Sequence, residues 1–278
     1  MTFTVWNNIR DGVVQCMESI RAERIEQERL ETMSSRCQFF RLVYAAWFVK
    51  QADKSILPRA VDLMYRPEVR AVIEQDTEQP VSRADFDGFT NHFAEWSAEW
   101  KAQCDEKLRK LVRDSPGLKG KIPDGIDPLS LASVVFTCKE CSRYGYGGPT
   151  ALLYPAILTH SCLYEDVWFG RYTETLPIFE RAACGAARGT SVVPSYAPWS
   201  HELVAISADY EQVEEIIKAF GRDPSTATRD EMDTIDNVRI YCSNCPRASP
   251  DSLSVMGWKH AVMRHNFCGL VSTANRLL

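Results

Sequence analysis

The residues best suited to chemistry in this sequence are cysteines and histidines, which occur in two groups. Each group begins with a C-x-x-C pair that closes an apolar, β-prone stretch, VVFTCKEC in the first group and VRIYCSNC in the second. Two thiolates at this spacing on a tight turn can bind one tetrahedral ion, with Zn–S bonds of about 2.3 Å. A structural zinc site needs two further ligands, so we expect a second ligand pair downstream of each C-x-x-C.

The first group has the spacing C-x2-C-x18-H-x-C. It supplies three thiolates and one imidazole, a donor set typical of a closed structural zinc site. Buried free cysteines beside an unrelated histidine are the alternative, and Cys184 is a spare thiol that could replace one ligand. The predicted ligands of the first zinc ion are Cys138, Cys141, His160 and Cys162.

The second group leaves one ligand open. Cys242 and Cys245 are followed in WKHAVMRHNFC by His260, His265 and Cys268. With both histidines the pattern is C-x2-C-x14-H-x4-H, close to a Cys2His2 finger, and with His265 and Cys268 it is a Cys2HisCys site. Residues five apart lie about 140° apart on a regular helix, so two histidine ligands would require the helix to tighten or unwind. We expect His265 as the third ligand and either His260 or Cys268 as the fourth.

Two other chemistries use such residues. A redox dithiol usually lies at a helix N-terminus in a βαβ context, whereas each pair here has a distant ligand pair. A catalytic zinc ion needs an open position and a general base, and neither group carries H-x-E or H-E-x-x-H. G-x-S-x-G, P-loop and dinucleotide-binding patterns are absent as well. We expect structural zinc and no catalytic or cofactor-binding residue, and a zinc-dependent enzyme with an unrecognised site ranks third.

Composition limits the classes of protein further. The 278-residue chain suits one large domain or two modest ones, and its 45% apolar content supports a core. Ten cysteines without a signal-peptide pattern favour a reducing compartment, so we expect a cytoplasmic or nuclear protein. No long apolar run is present, which predicts no membrane partner. The net charge of −5 argues against a broad phosphate-binding surface.

Hydrophobic periodicity predicts a mostly helical α+β protein. Apolar residues three and four apart predict a helix over the first fifty residues, either a coiled-coil or partner-binding helix or a solvated helix edge. A second helix is predicted to begin at the N-cap Ser82. Its Phe and Trp stripe, which includes Trp96 and Trp100, is expected to be core.

The predicted domains follow from a change in composition. Residues 116–128 are rich in proline and glycine, which predicts a linker. The helical region before it is residues 1–115. The region after it, residues 129–278, is predicted to contain short strands, helices and both zinc sites.

Several segments resemble a family of F-box-like or F-box-associated proteins from mushroom-forming fungi. The resemblance covers about residues 80–270 and lies in FAEWSAEWKAQCDEKLRKLV, SLASVVFTCKEC, LLYPAILTHSCL, GRDPSTATRDEMDTID before VRIYCSNC, and MGWKHAVMRH. It implies a zinc-dependent intracellular module of unknown biochemical activity. Family members often begin with an F-box, a leucine-rich helical module that docks on a ubiquitin-ligase adaptor. No F-box is recognisable here, which leaves membership of a ubiquitin-ligase complex open.

These observations favour a zinc-stabilised intracellular interaction or scaffold module with a protein partner. The alternative is a zinc-finger protein that binds nucleic acid through its basic tail, residues 239–278. That tail contains one acidic residue, Asp251, and five basic residues: Arg239, Arg247, Lys259, Arg264 and Arg276. Because the whole chain is acidic, nucleic-acid binding through the tail is predicted to be weak.

Overall fold

The structure is a computed structural model that describes residues 2–144, 151–164, 176–187, 197–241, 255–268 and 275–277. Helices dominate this part of the chain and are joined by short strands in two three-stranded sheets. The predicted class, mostly helical α+β, is therefore confirmed. No described helix combines the length and apolarity needed to cross a bilayer.

The α-helices and strands follow one another along the chain with four short 3₁₀ segments between them. The helices are α1 (Thr2–Phe48), α2 (Ala60–Met64), α3 (Pro67–Ile73), α4 (Phe93–Asp114), α5 (Lys139–Tyr144), α6 (Ile178–Ala187), α7 (Tyr210–Ala219), α8 (Arg229–Asp233) and α9 (Trp258–Cys268). The strands are β1 (Phe136–Cys138), β2 (Ala151–Leu152), β3 (Val204–Ile206), β4 (Arg239–Tyr241), β5 (Val255–Met256) and β6 (Asn275–Leu277). The 3₁₀ segments are Arg83–Asn91, Pro128–Ser130, Ala156–Thr159 and Ser161–Leu163.

The chain forms two compact units, and each is built from two stretches of sequence. The first consists of Met1–Ala98 and Tyr164–Pro198, and the second of Glu99–Leu163 and Trp199–Leu278. This division differs from the predicted boundary at residues 116–128, which lie inside the second unit. Leu118 is buried there, and Lys121 pairs with Glu214 at 3.0 Å, so a segment that reads as a linker is bound to its own unit.

The core of the first unit is built on the second half of α1. Met33, Cys37, Phe40 and Tyr44 are buried at spacings of three and four, as predicted for a helix with one apolar face. Buried Arg36 lies on the same helix and donates hydrogen bonds to the backbone carbonyls of Ile73, Gln75, Asp76 and Gln79. The first of these bonds satisfies a carbonyl at the end of α3 that has no partner within the helix, and the other three hold the segment that follows α3.

The aromatic stripe is buried as predicted, but it spans two elements rather than one helix. Ser82 does cap the first, since its backbone N–H donates to Asp85 at 2.7 Å. That first element is the 3₁₀ segment Arg83–Asn91, and α4 begins only at Phe93. Aspartate, glycine and asparagine in RADFDGFTN have low helix propensity, which explains the interruption. Trp96 is 5% exposed and Trp100 is 8% exposed.

In the second unit, two antiparallel sheets pack with α7 and α9. Strand β1 lies between β2 and β3, and β4 lies between β5 and β6. Apolar side chains of α7, including Val213 and Ile217, share a core with Trp258 and Val262 of α9. Gly221, with a φ of 76°, ends α7 in the left-handed conformation that favours glycine. Helix α8 begins with a capping box between Thr228 and Glu231.

Candidate metal centre

The first predicted ligand group lies on short elements of the second unit. Cys138 is the last residue of β1. Helix α5 begins directly after it, at Lys139, and contains Cys141. His160 ends one 3₁₀ turn, and Cys162 lies in the following turn. The C-x-x-C pair thus spans a strand-to-helix junction, and the downstream pair lies on two consecutive tight turns.

Strand pairing brings the two halves of this group together. Phe136 of β1 lies opposite Leu152 of β2, so the chain that leaves β2 towards His160 begins beside β1. Strand β3 pairs with β1 on its other side, with Val204 opposite Cys138, and holds the end of β1. Between β2 and the ligands, Ile157 and Leu158 are buried, which fixes the turn that carries His160.

A polar cluster also holds the ligand-bearing segment. The hydroxyl of Tyr154 donates to Oδ2 of Asp105 at 3.1 Å and accepts a hydrogen bond from the Lys101 ammonium. Lys101 and Asp105 are paired at 2.6 Å one turn apart on α4. Sequence reasoning missed these positioning residues, because Tyr154 meets Asp105 across 49 positions of sequence and no local pattern marks the contact.

The four predicted ligands come together at one point. Their ligand atoms all lie within 4.8 Å of one another. The Cys141 sulfur is 3.3 Å from Nε2 of His160 and 3.6 Å from the Cys162 sulfur. In a tetrahedral zinc site the distance between neighbouring ligand atoms is about 3.5–3.8 Å, since the bonds are about 2.3 Å to sulfur and 2.0–2.1 Å to nitrogen. The observed distances fit such a site, so this cluster could hold a metal ion.

The thiols differ in how readily they ionise. Burial acts to raise the pKa of Cys138, but hydrogen bonds from His160 and from the backbone N–H groups of Cys141 and Glu140 outweigh it and lower that pKa to about 7. Burial, followed by the adjacent Cys141 and Cys138 thiols, raises the pKa of Cys162. Several thiolates crowded together repel one another, whereas a divalent cation stabilises them together. The donor set therefore favours a bound cation.

The donor set also defines what the site could do chemically. Three sulfurs and one imidazole nitrogen supply all four positions of a tetrahedral ion, so no position is left for water or substrate. Cys138 is buried and the other three ligands are half-buried. Such a closed site would stabilise the fold and would not activate a nucleophile.

Most of the second predicted ligand group falls outside the described residues. Cys242 and Cys245 are not described, and for His265 and Cys268 only the backbone of α9 is. His260 is described and is exposed on α9. The second zinc site and the choice of its fourth ligand stay predictions. Cys184, the spare thiol of the first group, is buried in α6 of the other compact unit.

Comparison with protein-family models, with curated proteins and with solved structures finds no match to this chain. The class of protein is therefore defined by the fold and by the cluster alone: a mostly helical α+β protein with a Cys3His group that could bind metal. The resemblance to F-box-associated proteins stays a prediction.

Proposed function

We propose that this chain is a zinc-stabilised interaction or scaffold module in which zinc is structural. The observation that carries this proposal is the convergence of four ligand atoms, from residues up to 24 positions apart, within 4.8 Å of one another. Zinc is the metal that this donor set selects best, because soft thiolates with one imidazole in a tetrahedral arrangement suit it. The ion would join β1, α5 and the downstream turns.

A second zinc ion completes the proposal. Strand β4 ends at Tyr241, directly before Cys242, and β5 leads into α9, which carries the downstream candidates. Ile240 lies opposite Met256 in the antiparallel pair of β4 and β5. The order of strand, strand and helix is that of a ββα finger, in which the strands supply one ligand pair and the helix the other. This order supports Cys242, Cys245 and His265 as ligands, with His260 or Cys268.

The setting of the module is part of the same proposal. Cysteine ligands need a reducing compartment, which fits a cytoplasmic or nuclear protein. Resemblance to the fungal F-box-associated proteins supports a zinc-dependent intracellular module and does not imply catalysis. We do not extend the proposal to a ubiquitin-ligase complex, since no F-box is recognisable.

Native mass spectrometry of protein purified without added zinc tests this proposal. We expect two zinc ions per chain, because structural sites bind with free energies on the order of 10 kcal/mol. A strong chelator should remove both ions and melt the second unit, seen as loss of helical circular dichroism. A Cys16→Ser variant is the matched control, since Cys16 is an exposed thiol outside both groups. Less than one zinc ion per chain, with a thermal melt that the chelator leaves unchanged, would refute the proposal.

Nucleic-acid binding through the basic tail is the alternative, and two of its five basic residues are already engaged. Lys259 pairs with Asp233 at 2.6 Å, and Arg239 donates to the backbone carbonyls of Asp236 and Val238. At most three cations of the tail, Arg247, Arg264 and Arg276, then stay available to phosphates. We expect no sequence-specific binding tighter than about 1 µM at physiological salt, where specific DNA-binding proteins reach about 10 nM or better. A salt-resistant consensus selected in a mobility-shift titration would favour the alternative.

A further inference from the structure

The first half of α1 differs from the second half in its exposure. Residues 9–29 are exposed along the whole stretch, whereas from Leu30 onwards the helix packs in the core of the first unit. Of the eight large apolar side chains that are exposed in the described part of the chain, six lie in this first half. They are Ile9, Val13, Val14, Met17, Ile20 and Ile25.

Local interactions account poorly for a helix in this setting. Most helical stability in proteins comes from packing an apolar face, and residues 9–29 are exposed and pack no such face within the described part of the chain. Most side-chain contacts along this stretch are local and exposed, such as the Arg24 to Glu28 pair at 3.6 Å, and exposed ion pairs contribute little. Glu26 also pairs with Arg181 of α6 at 2.5 Å. A row of exposed apolar side chains of this size marks an interaction surface.

Three of the six, Ile9, Val13 and Ile20, share one face of the helix with Cys16, and the spacing of this face indicates what covers it. Ile9, Val13, Cys16 and Ile20 follow one another at intervals of four, three and four, the spacing of the inner positions of a coiled coil. The series of intervals is the same when it is read in either direction along the helix. A two-fold axis that relates residue i to residue 29 − i places Ile9 against Ile20 of the partner subunit, and Val13 against Cys16 of the partner subunit. The face is therefore complementary to itself, as an isologous interface requires.

Charge favours the antiparallel arrangement over a parallel one. Glu23 occupies the next inner position after Ile20. In a parallel pair it would face its own copy, and like charges opposite each other are destabilising. In the antiparallel pair the two copies of Glu23 lie far apart. Between residues 9 and 29 there are four arginines and five acidic residues, so two such helices do not repel one another strongly.

We propose that a second copy of this chain covers the face formed by Ile9, Val13, Cys16 and Ile20, in an antiparallel two-helix coiled coil. This interface is independent of the zinc sites, since it lies in the other compact unit. The exposed half of α1 then becomes the dimerisation element of the module.

Sedimentation equilibrium of the whole chain tests the dimer. We expect twice the mass of one chain at micromolar concentration, and the mass of one chain for Ile20→Asp. Ile25→Asp is the matched control, because Ile25 is equally exposed but lies on the opposite side of the helix. Circular dichroism of both variants should confirm that the rest of the protein is folded. A monomeric wild type, or equal masses for the two variants, would overturn the proposal. A monomeric wild type is also the result expected if the face binds an unrelated protein instead of a second copy.

Oxidative cross-linking with copper phenanthroline tests the direction. The new thiol of Val13→Cys would face Cys16 of the partner subunit. The two thiols release two protons to solvent, pass one electron to each of two copper(II) ions, and form a disulfide. We expect a covalent dimer for Val13→Cys, but neither for wild type nor for Val13→Cys combined with Cys16→Ser. Cross-linking of wild type that Cys16→Ser abolishes would show a parallel pair and contradict the proposed geometry.

Discussion

The sulfur of Cys141 lies 3.3 Å from Nε2 of His160, although 19 positions of sequence separate the two residues. Pairing of β1 with β2 brings the two chain segments together, and the hydrogen bond of Tyr154 to Asp105 fixes the second segment on α4. The folded chain thus holds the ligand atoms close to tetrahedral distances. Since an unfolded chain has no such preformed site, the free energy of binding metal adds to the free energy of folding.

Removing one ligand of the first group should remove one zinc ion. We expect Cys162→Ala to lower the affinity of that site by more than about 100-fold, since loss of even an outer-shell partner can cost that much. The second unit should also melt at lower temperature. Zinc titration with a chromogenic chelator gives the affinity, with Cys16→Ala as the control. Unchanged affinity in Cys162→Ala would exclude this residue as a ligand.

The second site is tested by comparing its candidate ligands. Cys242→Ser and His265→Ala should each abolish one of two zinc ions, because a tetrahedral structural site needs all four donors. Of His260→Ala and Cys268→Ser, only one should do so. Native mass spectrometry of the four variants counts the ions. Two zinc ions retained in Cys242→Ser would show that Cys242 holds no zinc.

Trp96 tests whether the aromatic stripe is core. Its ring lies 5.5 Å from that of Phe89 and 5.9 Å from that of Phe93, and Arg66 lies 4.7 Å above it. Trp96→Ala should lower the free energy of unfolding by about 3–5 kcal/mol in urea denaturation, and Trp100→Ala by a similar amount. Leu42→Ala, at a residue 46% exposed, is the control and should change it by less than about 0.5 kcal/mol. A Trp96→Ala variant that is as stable as wild type but has lost binding to a partner would instead show that the stripe is a recognition surface.

Local patterns were sufficient to predict much of this structure. Helix α1, the capping boxes at Ser82 and Thr228 and the end of α7 at Gly221 all follow from short-range spacing and turn chemistry. The first ligand group was also predicted from spacing, since three cysteines and one histidine form a complete donor set for one tetrahedral ion. Its four ligand atoms do come together.

Long-range contacts could not be predicted in the same way. The break before Phe93 depends on how weak helix formers compete with packing, and the hydrogen bond of Tyr154 to Asp105 joins distant segments. Residues 116–128 read as a linker because they are rich in proline and glycine. Their attachment depends on individual pairs such as Lys121 with Glu214 and Asp127 with Arg109.

The pair of Arg109 with Asp127 predicts a dependence of stability on pH. The hydrogen bond from Arg109 is the main cause that lowers the pKa of Asp127, and burial opposes it only in part. Because this pKa is lower in the folded state, the stabilisation is present above the unfolded pKa of about 3.9 and is lost as the pH falls through the lower folded value. Both side chains are partly exposed, so the effect should be within about 1 kcal/mol.

Urea denaturation of wild type and Asp127→Asn at several pH values measures this contribution. Wild type should be the more stable protein at pH above about 5, and the difference should shrink as the pH falls below about 4. Asp11→Asn is the control, since Asp11 pairs only with its exposed neighbour Arg10 among the described residues. A difference that stays constant across this range would show that the carboxylate charge does not contribute.

X-ray absorption at the zinc edge, on the Cys242→Ser variant, tests the central claim most directly. This variant should retain only the ion bound by Cys138, Cys141, His160 and Cys162. We predict a first shell of three sulfurs at about 2.3 Å and one nitrogen at about 2.0–2.1 Å. A shell of oxygen and nitrogen alone, or a variant that retains no zinc when purified, would contradict a structural zinc ion at this cluster.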